Sequence, residues 1–525
     1  MKLTGELLIG AASVPATAGT MKALDPATGQ LLEPDFAFGG AAEADRALRL
    51  ADEAFDSYSH TGLSERAAFL DLVADKLEAV KAELAARASL ETGLPAAQFE
   101  GEIARSAATF RKFAVVVRQG RFLQVTVDPA QPDRQPVPRM DHRLQKVSLG
   151  PVVIFGASNF PVSYSVAGGD TASALASGSP VVVKAHNAHP GTSEIQGRVI
   201  QEAVAEAGLH EGVFSLIRGA GNEIGEALVD HSLVRAVTFT GSEGGGMALY
   251  RRARQRPDPI PVFTEMTSVN PTFVLPGALA ARGAEIGAGV ASRAQYNVGQ
   301  ACLKPAILLA VDGPGFEELR TAAIAEVEKT AARIMLTPGI HDAYVRNVQR
   351  LEENGAIRIG AGPAPVRGWD GRSLLYETTG EQVLAEPSLR EEVFGPAVLL
   401  VRLTDVEQLL EVARAFRGQL SATMHAEASD RAAAVRLLPV LERRTGRIVV
   451  NAFSMPQEVS YGTVHTGPFP ATSDSRFTSV GMSAIDRFLR PVTYQGFPDE
   501  LLPEPLREGN PLHVWRLVDG ELTRD

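Results

Sequence analysis

The residue with the most evident chemistry is Cys302, the single cysteine of a 525-residue chain. It stands in Asn297-Val298-Gly299-Gln300-Ala301-Cys302-Leu303-Lys304-Pro305, where the Gly and Gln before it and the Pro after it place it on a turn between a helix and a strand starting near Ile307. A lone cysteine is often a small buried hydrophobe. A turn, however, is a poor place to bury a thiol for packing, and turns carry function. Both readings stand at this level: packing residue or nucleophile. One thiol rules out a disulfide framework and a cysteine-based structural zinc site.

Other residues have types and positions that could do chemistry. Glu265 closes a β-rich run in Phe263-Thr264-Glu265-Met266-Thr267-Ser268-Val269-Asn270-Pro271, where a carboxylate is costly unless it is paired or at work. Asn159, in Phe155-Gly156-Ala157-Ser158-Asn159-Phe160-Pro161, lies just beyond another strand with two amide donors to offer. Lys184 ends Val181-Val182-Val183; His186 and His189 follow it, but with no third ligand nearby no metal site is expected. Two glycine-rich turns join a strand to a helix, Gly219 to Gly225 and Phe239-Thr240-Gly241-Ser242-Glu243-Gly244-Gly245-Gly246. The amides and Ser242 hydroxyl of the second suit a pyrophosphate. It lacks the Lys-Ser/Thr pair of a nucleoside triphosphate loop, which argues against kinase or ATPase chemistry.

The elements that must position these residues are legible from periodicity. Residues 40 to 118 read as consecutive helices with apolar positions three and four apart, as in Glu65 to Glu78 and Lys81 to Glu91, their charged faces expected in solvent. Five β-branched runs follow, at 152–155, 181–183, 213–217, 237–240 and 260–263. Between them lie helices expected at 165–177, 192–206, 223–229 and 243–254. That alternation predicts a parallel, doubly wound sheet with ligands at the carboxyl ends of its strands. A second alternation, through 272–275, 307–311, 398–401 and 448–450, predicts a second α/β unit. Proline-rich stretches at 126–140 and from Phe488 onward read as an arm and an extended edge or interface segment. With 51 Lys plus Arg against 62 Asp plus Glu, the net charge of −11 offers no footprint for nucleic acid or an anionic membrane. The apolar stretch at Leu7 follows Glu6 rather than a basic start, so it reads as a strand and not a secretory leader. No run reaches the ~20 apolar residues of a membrane span. A cytoplasmic protein acting on a small molecule is expected.

Taken in order, the Asn159 loop, the Lys184 strand end, the 239–242 turn, Glu265, the Gly-Gln-Ala-Cys turn and Glu391-Glu392-Val393-Phe394-Gly395-Pro396 resemble the aldehyde dehydrogenase superfamily. The resemblance implies an α/β aldehyde dehydrogenase fold. A Rossmann-like cofactor domain would span 1–125 and 148–262, and an α/β catalytic domain 263–485. A small oligomerisation arm and tail would occupy 126–147 and 486–525, supporting a homodimer or homotetramer. It further implies Cys302 as nucleophile, Glu265 as general base with a raised pKa, and Asn159 with the Cys302 amide as oxyanion donors. Lys184 would contact the adenosine ribose, Gly241 and Ser242 the pyrophosphate, and Glu392 with Phe394 the nicotinamide ribose and ring. Glu265 points to a free acid as product, since relatives that pass the acyl group to coenzyme A generally lack it.

Two departures from the family pattern bear on the site. NAD-selective members often carry a glutamate three residues after the lysine; here Asn187 removes its repulsion of a 2′-phosphate, so NADP is expected as the preferred cofactor with NAD also used, and Arg218 is a candidate phosphate partner. Met266-Thr267-Ser268 replaces the common Leu-Gly-Gly, and Leu303 flanks the nucleophile. Within the superfamily, 155–161, 166–176, 184–186 and Gly467-Pro468-Phe469-Pro470-Ala471-Thr472 are most similar to the bacterial branch that oxidises 2,5-dioxopentanoate in sugar acid breakdown. That branch also includes NADP-linked fatty aldehyde enzymes, the alternative substrate class. Arginines such as Arg293 are candidates for a distal carboxylate. A different class, a cysteine hydrolase or acyltransferase without nicotinamide, needs a histidine at the thiol. None lies between 232 and 340, so it would have to fold in from a distance.

Overall fold

The computed structural model describes residues 2–525. The helical stretch before residue 120 forms four helices, Ala41–Ser59, Leu63–Ala79, Lys81–Thr92 and Ala96–Gln119. Their apolar faces pack together and onto the first sheet. Contrary to the expectation from periodicity, their charged residues are not all solvated: Arg66, Glu91 and Glu102 are buried.

The first sheet has seven strands in the order 262–265, 236–240, 152–155, 181–184, 214–217, 7–9 and 12–14. The five expected strands are mutually parallel. Leu7–Ile9 and Ala12–Val14 add an antiparallel edge, so the apolar stretch near the start is a strand. The run read at 260–263 begins later, at Val262, because Pro261 has no N–H to give the ladder. Glu265 is thereby the last residue of its strand. The helix expected from Ser165 starts only at Gly169, because the chain first makes a series of turns from Pro161 onward and Gly168 takes the capping position.

The second sheet runs 357–361, 374–379, 397–403, 307–311, 272–274, 419–425 and 445–450, parallel except for its 357–361 edge. Three of these strands, at 357–361, 374–379 and 419–425, extend the expected set. Gln419–His425 alternates polar and apolar residues, the pattern of a half-exposed strand, yet all seven residues are buried. Two of its polar side chains find partners inside: Gln419 Oε1 accepts from the Val269 N–H at 2.7 Å, and Ser421 Oγ donates to Asn270 Oδ1 at 2.9 Å. Both proline-rich stretches meet in a third sheet, in which 489–495, 142–148, 125–128, 516–518 and 521–523 are neighbours in that order.

Two contacts join these layers where the candidate residues lie. The segment 471–473 runs along the 262–265 edge of the first sheet: Met266 N donates to Ala471 O at 2.9 Å, and Ser473 Oγ accepts from Thr264 N at 2.9 Å. This carries a loop that follows the second sheet onto the strand that presents Glu265. On the other flank, buried Glu91 caps the helix Pro190–Glu206, accepting from Gly191 N and Thr192 N at 2.8 Å each, from Thr192 Oγ1 at 2.7 Å and from Arg87 Nε at 3.0 Å. That helix follows the loop from Lys184. Replacing Glu91 by Ala orphans these donors and is expected to lower stability by about 3 to 5 kcal/mol, measured as a fall in the urea midpoint; an unchanged midpoint would show that the cap contributes nothing.

Candidate active site

The strand register lines up the candidate residues. Phe155 pairs with Lys184, Lys184 with Ile217, Phe155 with Phe239, and Thr240 with Glu265. The loops after these strands therefore leave one edge of the first sheet side by side, with the order of strands reversing at 152–155, where ligands of such sheets bind.

The nucleophile turn is strained and pinned. Asn297 and Val298 have φ of 53° and 56°, a left-handed conformation that stores about 1 to 3 kcal/mol in a β-branched residue. Gly299 also has positive φ, and a Cβ there would lie 2.2 Å from the Gly395 carbonyl, so only glycine lets the two backbones meet. Asn270 Nδ2 donates to Cys302 O at 2.8 Å and to Lys304 O at 2.9 Å. Asn159 joins the same turn: its Nδ2 donates to Gln300 O at 3.2 Å, and its backbone oxygen accepts from Asn297 Nδ2 at 3.0 Å. Its second amide hydrogen is left for another acceptor.

Glu265 and Cys302 do come together, and a residue absent from the sequence expectations stands between them. His465 Nε2 lies 2.7 Å from Glu265 Oε1 and 3.5 Å from Cys302 Sγ. Ser479 Oγ donates to the other Glu265 oxygen at 2.9 Å. This is the distant histidine that a hydrolase reading required, 163 residues after the thiol. The only sequence signal was its place two residues before the Gly467 to Thr472 segment. Whereas no metal-ligand set was expected, the thiol, imidazole and carboxylate present ligating atoms within 4.8 Å of one another.

The electrostatics correct one expectation. Burial does push the Glu265 carboxyl upward, but the charge and hydrogen bond of His465, with hydrogen bonds from Ser479 and Cys302, outweigh it and hold the group below the usual carboxylate value. Glu265 is thus ionised at neutral pH. The Cys302 thiol is pushed well up by burial, and then by the Glu265 and Glu392 charges. Thiolate formation needs a positive partner, and an imidazolium at His465 would face both the sulfur and the carboxylate.

The residues matched to the cofactor gather along the same edge. Ser242 caps the helix Glu243–Arg254, its Oγ accepting from Gly245 N at 3.2 Å, and Gly241 N donates to Glu265 O at 3.0 Å. Asn187 Nδ2 donates to Gly219 O at 3.1 Å, which ties the first glycine turn to the Lys184 loop, while Asn187 Oδ1 is buried without a partner. Burial lowers the pKa of half-buried Lys184. The orphaned Asn187 oxygen in the loop after Lys184, together with the helix N-terminus that Ser242 caps, fits a dinucleotide. Arg218 does not serve as its phosphate partner: it is fully buried and its guanidinium donates at 2.7 Å to the Gly5 and Glu6 carbonyls, holding the edge strand.

Glu392 reaches the site through one of the departures, since Thr267 Oγ1 donates to its Oε2 at 3.0 Å. Ser268 bonds Asn270 and Gln419 at 2.8 and 3.1 Å. Leu303 packs with Leu420 and Ala471. Phe394 lies half-buried two residues beyond Glu392. A cavity of about 1060 Å³ opens from Cys302 and His465 past Phe160, Tyr164 and the helix Ala96–Gln119.

With thiol, carboxylate, amide and dinucleotide-type loops in place, the chain's membership can be stated: it belongs to the aldehyde dehydrogenase family, whose profile matches residues 14–467. Among curated relatives it is 52% identical to alpha-ketoglutaric semialdehyde dehydrogenase 2 of Azospirillum brasilense, over 99% of this chain and 100% of that protein. It is 41% identical to alpha-ketoglutaric semialdehyde dehydrogenase of Acinetobacter baylyi, over 99% of each. Among solved structures, betaine aldehyde dehydrogenase of Staphylococcus aureus in complex with NAD+ superposes with a TM-score of 0.81 at 20% identity, covering 95% of this chain and 98% of that one. An NADP dependent enzyme of E. coli gives 0.80 at 22% identity, covering 94% and 98%. These establish the α/β aldehyde dehydrogenase fold.

The raised thiol makes a checkable claim about pH. Cys302 is the only thiol that iodoacetamide can alkylate, and in cofactor-free enzyme its rate is expected to keep rising above about pH 8.5, the value of a free thiol. A plateau reached below about pH 7 would instead reveal a resting thiolate and imidazolium pair.

Proposed function

We propose that the protein oxidises 2,5-dioxopentanoate to 2-oxoglutarate with a nicotinamide dinucleotide, NADP in preference to NAD. The full-length likeness to two alpha-ketoglutaric semialdehyde dehydrogenases carries the substrate reading. Neutral Asn187, three residues after Lys184, supports the cofactor preference, because neither residue repels a 2′-phosphate.

The chemistry follows from the residues in place. Cys302 Sγ loses its proton to the His465 and Glu265 pair and attacks the aldehyde carbon. The new alkoxide is met by the Cys302 N–H and the Asn159 amide, donors of a kind worth about 3 to 4 kcal/mol each in a dry site. A bound nicotinamide dinucleotide supplies the hydride acceptor. Lys184, Asn187, Gly241 and Ser242 would hold its adenosine and pyrophosphate portions, and Glu392 with Phe394 its nicotinamide end. The acyl group left on sulfur is a thioester. Glu265, ionised and oriented by His465 and Ser479, takes a proton from the attacking water. The carbon–sulfur bond breaks, releasing the acid and returning the thiol. The histidine demanded by a hydrolase is thus placed for the hydrolytic half of a dehydrogenase.

The shared third sheet and the exposed apolar residues Val137, Met140, Leu517 and Leu522 on it or its connections support assembly into a homodimer or homotetramer. No helix among the described residues is long and apolar enough to cross a membrane.

A panel of aldehydes from short semialdehydes to long alkyl chains, assayed with NAD and NADP, is expected to give the highest kcat/KM for 2,5-dioxopentanoate with NADP; preference for long alkyl chains would reject the substrate. Glu265→Gln is expected to give a burst of about one reduced cofactor per site and then a steady rate lowered about 100-fold or more. An unchanged steady rate would move the base to His465.

A further inference from the structure

A substrate with a carboxylate at the far end needs a cation in the cavity, and four line it: Arg105, Lys112, Arg293 and Arg333. Three are poorly suited. Lys112 is paired with Glu458 at 2.7 Å. Arg293 is exposed and lies over the Phe453 ring, 5.5 Å from its centroid. Arg333 is exposed on the short strand Arg333–Ile334.

Arg105 is different. It projects from the helix Ala96–Gln119, half-buried, with one guanidinium nitrogen donating to Gln457 O at 2.8 Å and another to Tyr164 Oη at 3.0 Å. Those two bonds fix the plane of the fork, and no carboxylate among the described residues lies within ion-pair distance of it. A guanidinium has five N–H donors, so N–H groups remain for a ligand. Tyr164 lines the same cavity as Cys302, so the fork it holds faces the space that leads to the reacting end.

One turn earlier on the same helix, buried Glu102 also lines the cavity. Its Oε2 accepts from Val162 N, Ser163 N and Ser163 Oγ at 3.3 to 3.4 Å, while its Oε1 is buried with no partner. Burial pushes this carboxyl up to about 7, so near neutrality it is only partly ionised, and Glu458, the other cavity carboxylate that feels Arg105, is paired with Lys112.

We propose that Arg105, aimed by Tyr164 and Gln457, is the residue that selects oxo-acid semialdehydes by pairing with the terminal carboxylate of a substrate whose aldehyde carbon sits at Cys302 Sγ. This rests on the substrate reading given above. It replaces Arg293 as the carboxylate partner.

The test compares 2,5-dioxopentanoate, succinate semialdehyde and pentanal, the last a neutral aldehyde of five carbons, on wild type, Arg105→Met, Arg105→Lys, Arg293→Met and Arg333→Met. Loss of a charge-assisted pair is expected to raise KM for the two acids about 30-fold or more in Arg105→Met, with kcat changed by less than about 3-fold and kcat/KM for pentanal held or improved. Arg105→Lys is expected to recover part of the loss, and Arg333→Met to match wild type. Equal losses on acids and pentanal would mean a structural role and overturn the proposal, as would selective loss in Arg293→Met or none in Arg105→Met. If wild type oxidises succinate semialdehyde but not 2,5-dioxopentanoate, the substrate reading falls while the Arg105 comparison still runs on the shorter acid. Wild type that favours pentanal over both acids overturns both.

Discussion

The ammonium group of Lys304 is the interaction on which the rest of the site depends. It is buried, two residues after the nucleophile, and its Nζ donates to the carbonyls of Val393, Gly395 and Ala397. Those carbonyls belong to the segment that carries Glu392 and Phe394. The cation thus fastens the thiol turn to the loop matched to the nicotinamide, the same two segments whose Gly299 and Gly395 backbones touch. Burial drives Lys304 downward and Glu392 upward in pKa, and each partner's charge opposes the other's shift. An interior cation is costly unless its donors are satisfied, and here three fixed backbone dipoles satisfy them. The geometry of two catalytic segments is consequently set by one side chain that touches neither reacting atom.

The second constraint is the strand edge that ends in Glu265. The pairing of 471–473 along this edge brings the loop bearing His465 to Glu265. Its imidazole meets the carboxylate and the thiol together, and the Ser479 hydroxyl, which also bonds the His465 carbonyl, completes the set. The site resolves a conflict that a cysteine beside a glutamate creates: two anions cannot share a dry pocket, so the carboxylate holds the charge and the thiol keeps its proton until a histidine accepts it.

Much of this was legible in the residues. The β-branched runs named the five parallel strands because a strand buried on both faces must be apolar along its whole length. Cys302 and Glu265 could be singled out because neither type is cheap where it stands. Gln419–His425 was obscured because its polar alternation is answered by Ser268 and Asn270, partners 151 residues away. His465 was obscured for the same reason, since nothing local to it marks the neighbour it will meet. The charged faces of the early helices were legible as amphipathic but not as functional: Glu102 and Arg105 are spaced like any solvated pair, and only the fold turns them toward the cavity. Arg218 failed as a phosphate partner because an arginine at a strand end looks the same whether it faces a ligand or two backbone carbonyls.

The solitary thiol has a further consequence, in redox terms. Peroxide acting on the thiolate form of Cys302 would give a sulfenic acid, and such groups are ordinarily rescued by condensing with a nearby second thiol. This chain contains none. Short of closing onto a backbone nitrogen, an oxidised site is restored by a thiol small enough to come in through the same cavity as the aldehyde, or passes on to the irreversible sulfinic acid. The passage that admits substrate is in this sense also the route of repair.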